Sequence, residues 1–355
     1  MTFIGHADYD TMKPYIALTD KTRQSALLSS FIFSDKTNKF FLNYDKCRYL
    51  CSKLRKRISL NDSMKAKTLL TFITAMVLSL PAKAQLFWQI SGNDMPEPSF
   101  LLGSFHLEKD SFCDSIPGFK EAFQAVKQAY FEYSIFDTPA RGSNQIMMMP
   151  EGRTFESLFT EDELSDVLDL VAKITGIRYG KVQFSPQGLS QFLNQELLRK
   201  SFPDLFQFSE EAMDLGLQKR AKSLGKQVYG LETLEFQLGL IYGQSRSLEE
   251  QAKNLLEWAR SPESDPEVFK AKLMALHQAY RSQDFQTIEK EIAALSSTPT
   301  AREFFFNRNE TWMPVLRDAV RTNPTLIVVG AGHLVGEDGL VSLLREEGFT
   351  LSPMK

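Results

Sequence analysis

The chain has 355 residues, 43% of them apolar and 24% charged, with a net charge of −3. That length admits two domains or one large α/β unit without disulfide or metal staples, and the composition excludes disorder, collagen and coiled coil for its bulk. The small net charge excludes electrostatic nucleic-acid binding by the chain as a whole, and three cysteines exclude a disulfide framework.

Residues 1–63 hold 11 Lys/Arg against 6 Asp, a net +5, so residues 64–355 carry −8. Lys53, Arg55, Lys56 and Arg57 read as a solvated basic face, and Cys47 and Cys51 form a lone C-x3-C pair that is a weak zinc signal. Met64 marks a boundary. Lys65-Ala66-Lys67, the 12 apolar-rich residues Leu69 to Leu80, and Pro81-Ala82-Lys83-Ala84 make an n-region, an h-region and an A-x-A cleavage site. The apolar run is shorter than the ~20 residues of a spanning helix; a buried core helix is the competing account. The reading is a leader or mis-assigned start over 1–63, a signal peptide over 64–84 cleaved after Ala84, and a periplasmic or extracellular mature chain, 85–355, with no stable membrane anchor. Cys113 is then the mature chain's single cysteine, so its core must hold it together.

The mature chain opens on short apolar runs, Leu86 to Ile90 and Phe100 to Gly103, separated by Gly92-Asn93-Asp94 and two prolines, a hairpin signal. Pro117 opens an amphipathic helix to about Gln128, and the aromatic stretch Ala129 to Phe136 predicts a strand. Thr160-Glu161-Asp162-Glu163 is a capping box before the stripe Leu164, Val167, Leu168 and Val171, and Gly176 stops that helix. Further helices are predicted over 187–200 and 209–224, then a short strand Gln227 to Leu231. Helical periodicity follows from 233 to 321, broken near Pro262 and Pro299. Thr325 to Val329 is a buried-strand run, followed by a helix over 337–347, Gly348 as its C-cap and a last strand Phe349 to Ser352. The expected fold class is α/β: strand–helix units at both ends meet in one central sheet, with the helical middle as an insertion or lid.

Two of the four histidines share a frame. His106 ends Gly103-Ser104-Phe105-His106 and His333 ends Gly330-Ala331-Gly332-His333, each directly after an apolar strand. The C-terminal edge of a parallel sheet is where ligands and catalytic groups collect, and glycine lets the chain turn tightly there. A histidine at that edge serves as metal ligand or general base, or is a satisfied turn residue. His6 in the leader and His277, in a stripe with Leu273 and Leu276, read as structural. Glu132, between Phe131 and Tyr133, must be paired, ligating or solvated. Glu232 ends the Gln227–Leu231 strand and is a second candidate; Asp214, Glu235 and Gln237 are weaker ones. Arg308 and Asn309 bring a fixed cation and an amide together, suited to an oxyanion or carboxylate, or to a surface bridge.

These pieces resemble the TraB/GumN family, related to the Tiki-like metalloproteases and to erythromycin esterase. The matching stretches are FLLGSFHLEKD, AYFEYSIFD, AMDLGLQKRAKSLGKQVYGLETLEFQ, NRNETWMPVL and VVGAGHLVGEDGLVSLLREEGFTL, in that order. The resemblance implies one α/β catalytic domain over 85–355 in which the two G-x-x-H segments face one cleft. It implies a site of His106, Glu132 and His333 holding a divalent metal, with Arg308 and Asn309 beside it. The metal would be Mn, Co or Zn, which the donor set does not separate. The expected function is an exported hydrolase, a metal-dependent peptidase acting on a peptide or small ester. The alternatives are a metal-independent esterase with His as general base and a non-catalytic binder of peptide or haem.

Overall fold

The computed structural model describes residues 86–137, 145–177, 182–203, 212–296 and 302–354. The expected leader and signal peptide, with Cys47 and Cys51, lie outside the described residues, as does the predicted break near Pro299. Among the described residues no helix is long and apolar enough to cross a membrane.

One six-stranded sheet organises the chain. Its strands are β1 (Phe87–Ser91), β2 (Ser99–Ser104), β3 (Gln128–Phe131), β4 (Gln227–Gly230), β5 (Thr325–Gly330) and β6 (Thr350–Pro353), in the spatial order β4-β3-β5-β2-β1-β6. The first four in that order run parallel. β1 is antiparallel to both of its neighbours, so the sheet ends as a hairpin plus the last strand. The two α/β ends of the chain therefore do share one sheet. Leu326, Ile327, Val328 and Val329 of β5 and Leu101 and Leu102 of β2 are fully buried. This continuous apolar run is what a parallel strand covered on both faces requires. Each such side chain contributes about 1.5–3 kcal/mol of burial.

Ten α-helices are described: α1 (Phe119–Ala125), α2 (Glu161–Thr175), α3 (Pro186–Ser201), α4 (Met213–Ser223), α5 (Leu234–Ile241), α6 (Leu248–Arg260), α7 (Pro266–Arg281), α8 (Phe285–Ser296), α9 (Asn307–Thr322) and α10 (Leu340–Glu346). Thr160 caps α2 through a reciprocal capping box with Glu163, and Gly176 ends it in the left-handed region at φ 79°. α2, α3 and α6 build a core of their own from Val167, Leu170, Ile174, Leu193, Leu197 and Leu255. The helical middle is not one insertion, because β4 returns to the sheet between α4 and α5.

Two expected elements are shorter than their sequence suggests. The helix after Pro117 starts at Phe119 and ends at Ala125, because Gln128 is recruited into β3, where its amide donates to Thr325 Oγ1 at 2.8 Å. The aromatic strand stops at Phe131 rather than Phe136. Past that point the chain crosses over Gly230, where a Cβ would lie 2.8 Å from the Ser134 amide nitrogen. Glu132 is thus the first residue beyond β3, not a residue inside a strand.

Candidate active site

All four parallel strands release a polar residue at the same edge of the sheet. β2 ends in Ser104 and leads to His106, β3 leads to Glu132, β4 to Glu232, and β5 to a short helical turn, Ala331–Leu334, carrying His333. The glycines of the two G-x-x-H segments make this convergence possible. A Cβ on Gly103 would lie 3.0 Å from Ala331 Cα, and one on Gly332 would lie 2.7 Å from the Phe305 ring. His106, Glu132, Arg308 and His333 line one cavity. Much of its remaining wall is apolar and comes from the helical middle: Leu240 and Ile241 of α5, Leu276 of α7, Ile288 and Ile292 of α8, and Phe304 and Phe305.

His106 is held by a residue from α4. Its Nδ1 lies 2.5 Å from Asp214 Oδ2, and Ser104 Oγ donates to the other carboxylate oxygen, Oδ1, at 2.5 Å. A carboxylate only accepts, so Nδ1 carries a hydrogen, and in the neutral ring Nε2 keeps the lone pair. Burial works to lower the His106 pKa. The charge of Asp214 and its hydrogen bond prevail, and the imidazole titrates above the ordinary histidine value.

The pKa of His333 moves the other way. The amide nitrogen of Asn309 gives its two hydrogens to the carbonyls of His333 and Asp338, at 3.0 and 2.9 Å. Asn309 Oδ1 is left to face the ring, so His333 Nδ1 donates to it at 2.7 Å. His333 Nε2 then accepts from Arg308 at 3.2 Å. Burial, with the Arg308 charge also acting against protonation, pushes the His333 pKa down to about 3, and the ring is neutral.

Arg308 joins these parts. A π-helical turn, Arg302–Phe306, precedes it, and such a turn re-aims the side chains that follow. Its NH2 group donates to Glu132 Oε2 and Glu232 Oε1, both at 2.6 Å. Nε donates to Glu232 Oε2 at 3.0 Å, and NH1 to the Phe304 carbonyl at 2.9 Å and to His333. All five N–H groups of the guanidinium are committed. Glu132 also accepts from the Gly330 backbone amide at 2.8 Å and from Gln237 Nε2 at 2.9 Å. Although burial works against ionisation, the Arg308 charge, helped by the Gly330 amide, holds the Glu132 carboxyl well below the usual range. Glu232 goes the other way: burial raises it despite Arg308.

The residues expected at the site divide accordingly. His106, Glu132, Arg308 and His333 converge on the cavity, and Glu232 joins them through Arg308. Asn309 is fully buried behind His333 and orients it rather than facing a reactant. Arg308 has no spare donor for an oxyanion. His277 pairs with Glu108 at 3.0 Å and stacks on Phe105, and Glu235 is exposed. Asp214 and Gln237, the weaker candidates in the sequence, both touch the core of the site. Ser104 carried no signal beyond its place in the first G-x-x-H.

The expected metal set does not fit as it stands. Arg308 is the cation among Glu132, Glu232 and His333, and the Nε2 lone pair of His333 faces it. A divalent ion held by His106, Glu132 and His333 would have to displace that guanidinium. Among the described residues no group of three His, Cys, Asp or Glu side chains is arranged to hold an ion.

Comparison with curated proteins yields no significant match, and comparison with solved structures yields none either. The model of the TraB/PrgY/gumN family matches residues 86–353, which takes in every strand of the sheet and every residue of the site. The chain belongs to the TraB/PrgY/gumN family.

Proposed function

We propose that this protein is a hydrolase of amides or esters in which His106, oriented by Asp214, is the general base. The observation that carries the reading is the 2.5 Å contact of His106 Nδ1 with Asp214, which leaves Nε2 as the reactive edge on an apolar cavity. In the neutral ring, Nε2 takes a proton from a water as its oxygen attacks the substrate carbonyl. Asp214 stabilises the imidazolium that forms, and Nε2–H then protonates the leaving group. Ser104 is 1% exposed with its hydroxyl given to Asp214, so water rather than serine is the nucleophile. Glu132, Arg308 and His333 line the same cavity, tied together by the Arg308 hydrogen bonds, with Glu232 behind Arg308. The substrate is a peptide or small ester, and the signal sequence before Gln85 puts the reaction outside the cytoplasm.

The test is hydrolysis of a peptide library and of aryl esters by the purified protein, with chelator and with added Mn, Co or Zn. Turnover that survives the chelator and disappears in His106→Ala is the expected result. Turnover that persists in His106→Ala, or no turnover with any substrate, refutes the assignment. Activity that appears only with added metal would restore the metal-dependent peptidase, with Arg308 displaced. Retention of a ligand without turnover would make the protein a binder.

A further inference from the structure

The inference concerns Gln237, on α5, and rests on the reading of the cavity as a substrate site. Gln237 is 4% exposed and lines the cavity. The orientation of its amide is determined by Glu132: a carboxylate can only accept, so the NH2 group faces it, at 2.9 Å. That leaves Oε1 as the acceptor end, and this atom is buried with no hydrogen-bond partner. A buried acceptor without a donor is a standing cost that native proteins rarely leave uncompensated. The neighbouring groups cannot supply the donor. Arg308 has used all its N–H groups, His333 has given its one ring hydrogen to Asn309, and the walls beside Gln237 are Leu240, Ile241 and Phe304.

We infer that Gln237 is a substrate-recognition residue whose Oε1 accepts a hydrogen bond from an N–H or O–H group of a largely apolar ligand. The apolar body follows from the wall. The donor is the specific element, since an otherwise identical ligand without it would leave Oε1 unpaired.

A pair of probes isolates that donor. N-acetyl-L-phenylalanine dimethylamide carries one N–H, and its N-methyl counterpart carries none. Binding of each to the full-length protein is measured by calorimetry, with no reliance on turnover. The native protein should bind the N–H probe about tenfold more tightly, the worth of one buried hydrogen bond. Gln237→Met keeps the length of the side chain and removes the acceptor, and it should bind the two probes equally. Loss of the amide's support for Glu132 would weaken both probes alike, so the ratio, not the affinity, reads recognition. Equal binding of the two probes by the native protein, binding of neither, or a preference that survives in Gln237→Met overturns the inference. Should Gln237→Met fail to fold, Gln237→Leu, which also lacks the acceptor, is read in its place, with the same two outcomes. A tenfold preference together with no hydrolysis of any substrate would uphold the recognition role while refuting the hydrolase.

Discussion

Replacing Arg308 by methionine removes the cation from between two buried carboxylates and keeps most of the stem's volume. The side chains of Glu132 and Glu232 are 9% and 6% exposed, and both lose their 2.6 Å contact with the guanidinium. Breaking a buried ion pair from one side costs about 3–5 kcal/mol, because the remaining charge stays desolvated. Glu232 can escape by taking up a proton, since burial already raises its pKa. Glu132 cannot escape as easily, because the Gly330 amide and Gln237 still favour its ionised form, and the loss falls mainly there. At about 2–4 °C per kcal/mol for a domain of this size, the melting temperature should fall by roughly 6–20 °C. The assay is thermal and urea unfolding of Arg308→Met beside the triple variant Arg308→Met/Glu132→Gln/Glu232→Gln. The triple variant should recover most of the loss, because it removes the stranded charge. A loss below about 1 kcal/mol, the range of a solvated pair, would refute the account of Arg308 as the central buried cation. So would a triple variant no more stable than Arg308→Met.

Four further outcomes follow from the same geometry. Asp214→Asn should lower kcat by about 10³-fold or more while the fold persists, since an amide can no longer hold His106 in the Nδ1–H tautomer; a change below tenfold in steady-state assays would remove the dyad from the mechanism. In the native protein, kcat/KM should rise with pH through one limb above the ordinary histidine pKa, because His106 must be neutral to act as base and Asp214 raises its pKa. His333, at about 3, should contribute no limb near neutrality, and a second limb there would contradict its assigned state. Glu132 is held below its unfolded value, so its contribution to stability is present above the ordinary glutamate pKa and is lost as pH falls below it; urea unfolding of Glu132→Gln should accordingly lose less stability in acid than the native protein. Gly332→Ala would press a methyl to 2.7 Å from the Phe305 ring and should cost about 1–3 kcal/mol with a fall in activity, read by melting temperature and kcat on one sample.

The strands and their polar ends were readable because both are local. An apolar run followed by Gly-x-x-His carries strand, turn and side-chain position within ten residues, and β2 and β5 each obey it. The strand predicted over Ala129 to Phe136 failed because its aromatic composition reports burial, not backbone pairing. Tyr133 and Ser134 are buried while they cross Gly230 outside the ladder. Asp214 was hard to weigh for a different reason. In sequence it is one acidic residue within the helix predicted over 209–224, and even in the first turn of α4 the helix dipole explains it by itself. Only the packing of α4 brings it to a histidine 108 positions away. The pattern around Arg308 announced a cation near an amide but not the number of acceptors waiting for it. Four separate chain segments supply those acceptors, and that count decides between an oxyanion donor and a structural tie.

The order of the strands also constrains how the molecule is made. β2 pairs on one side with β5, which begins only at Thr325, and the far edge beside β1 is closed by β6, the last strand of the chain. Early in synthesis the β1–β2 hairpin has no partner on either side, and an isolated hairpin is marginal in water. Loop-closure entropy across the intervening helices must be overcome before the centre of the sheet exists. The helices of the middle, with their own core, can assemble first and wait. A ribosome-bound chain stalled before Thr325 should therefore show protease-resistant α2, α3 and α6 beside a cleavable N-terminal hairpin, and release of the final thirty or so residues should convert the whole to a resistant state in one step.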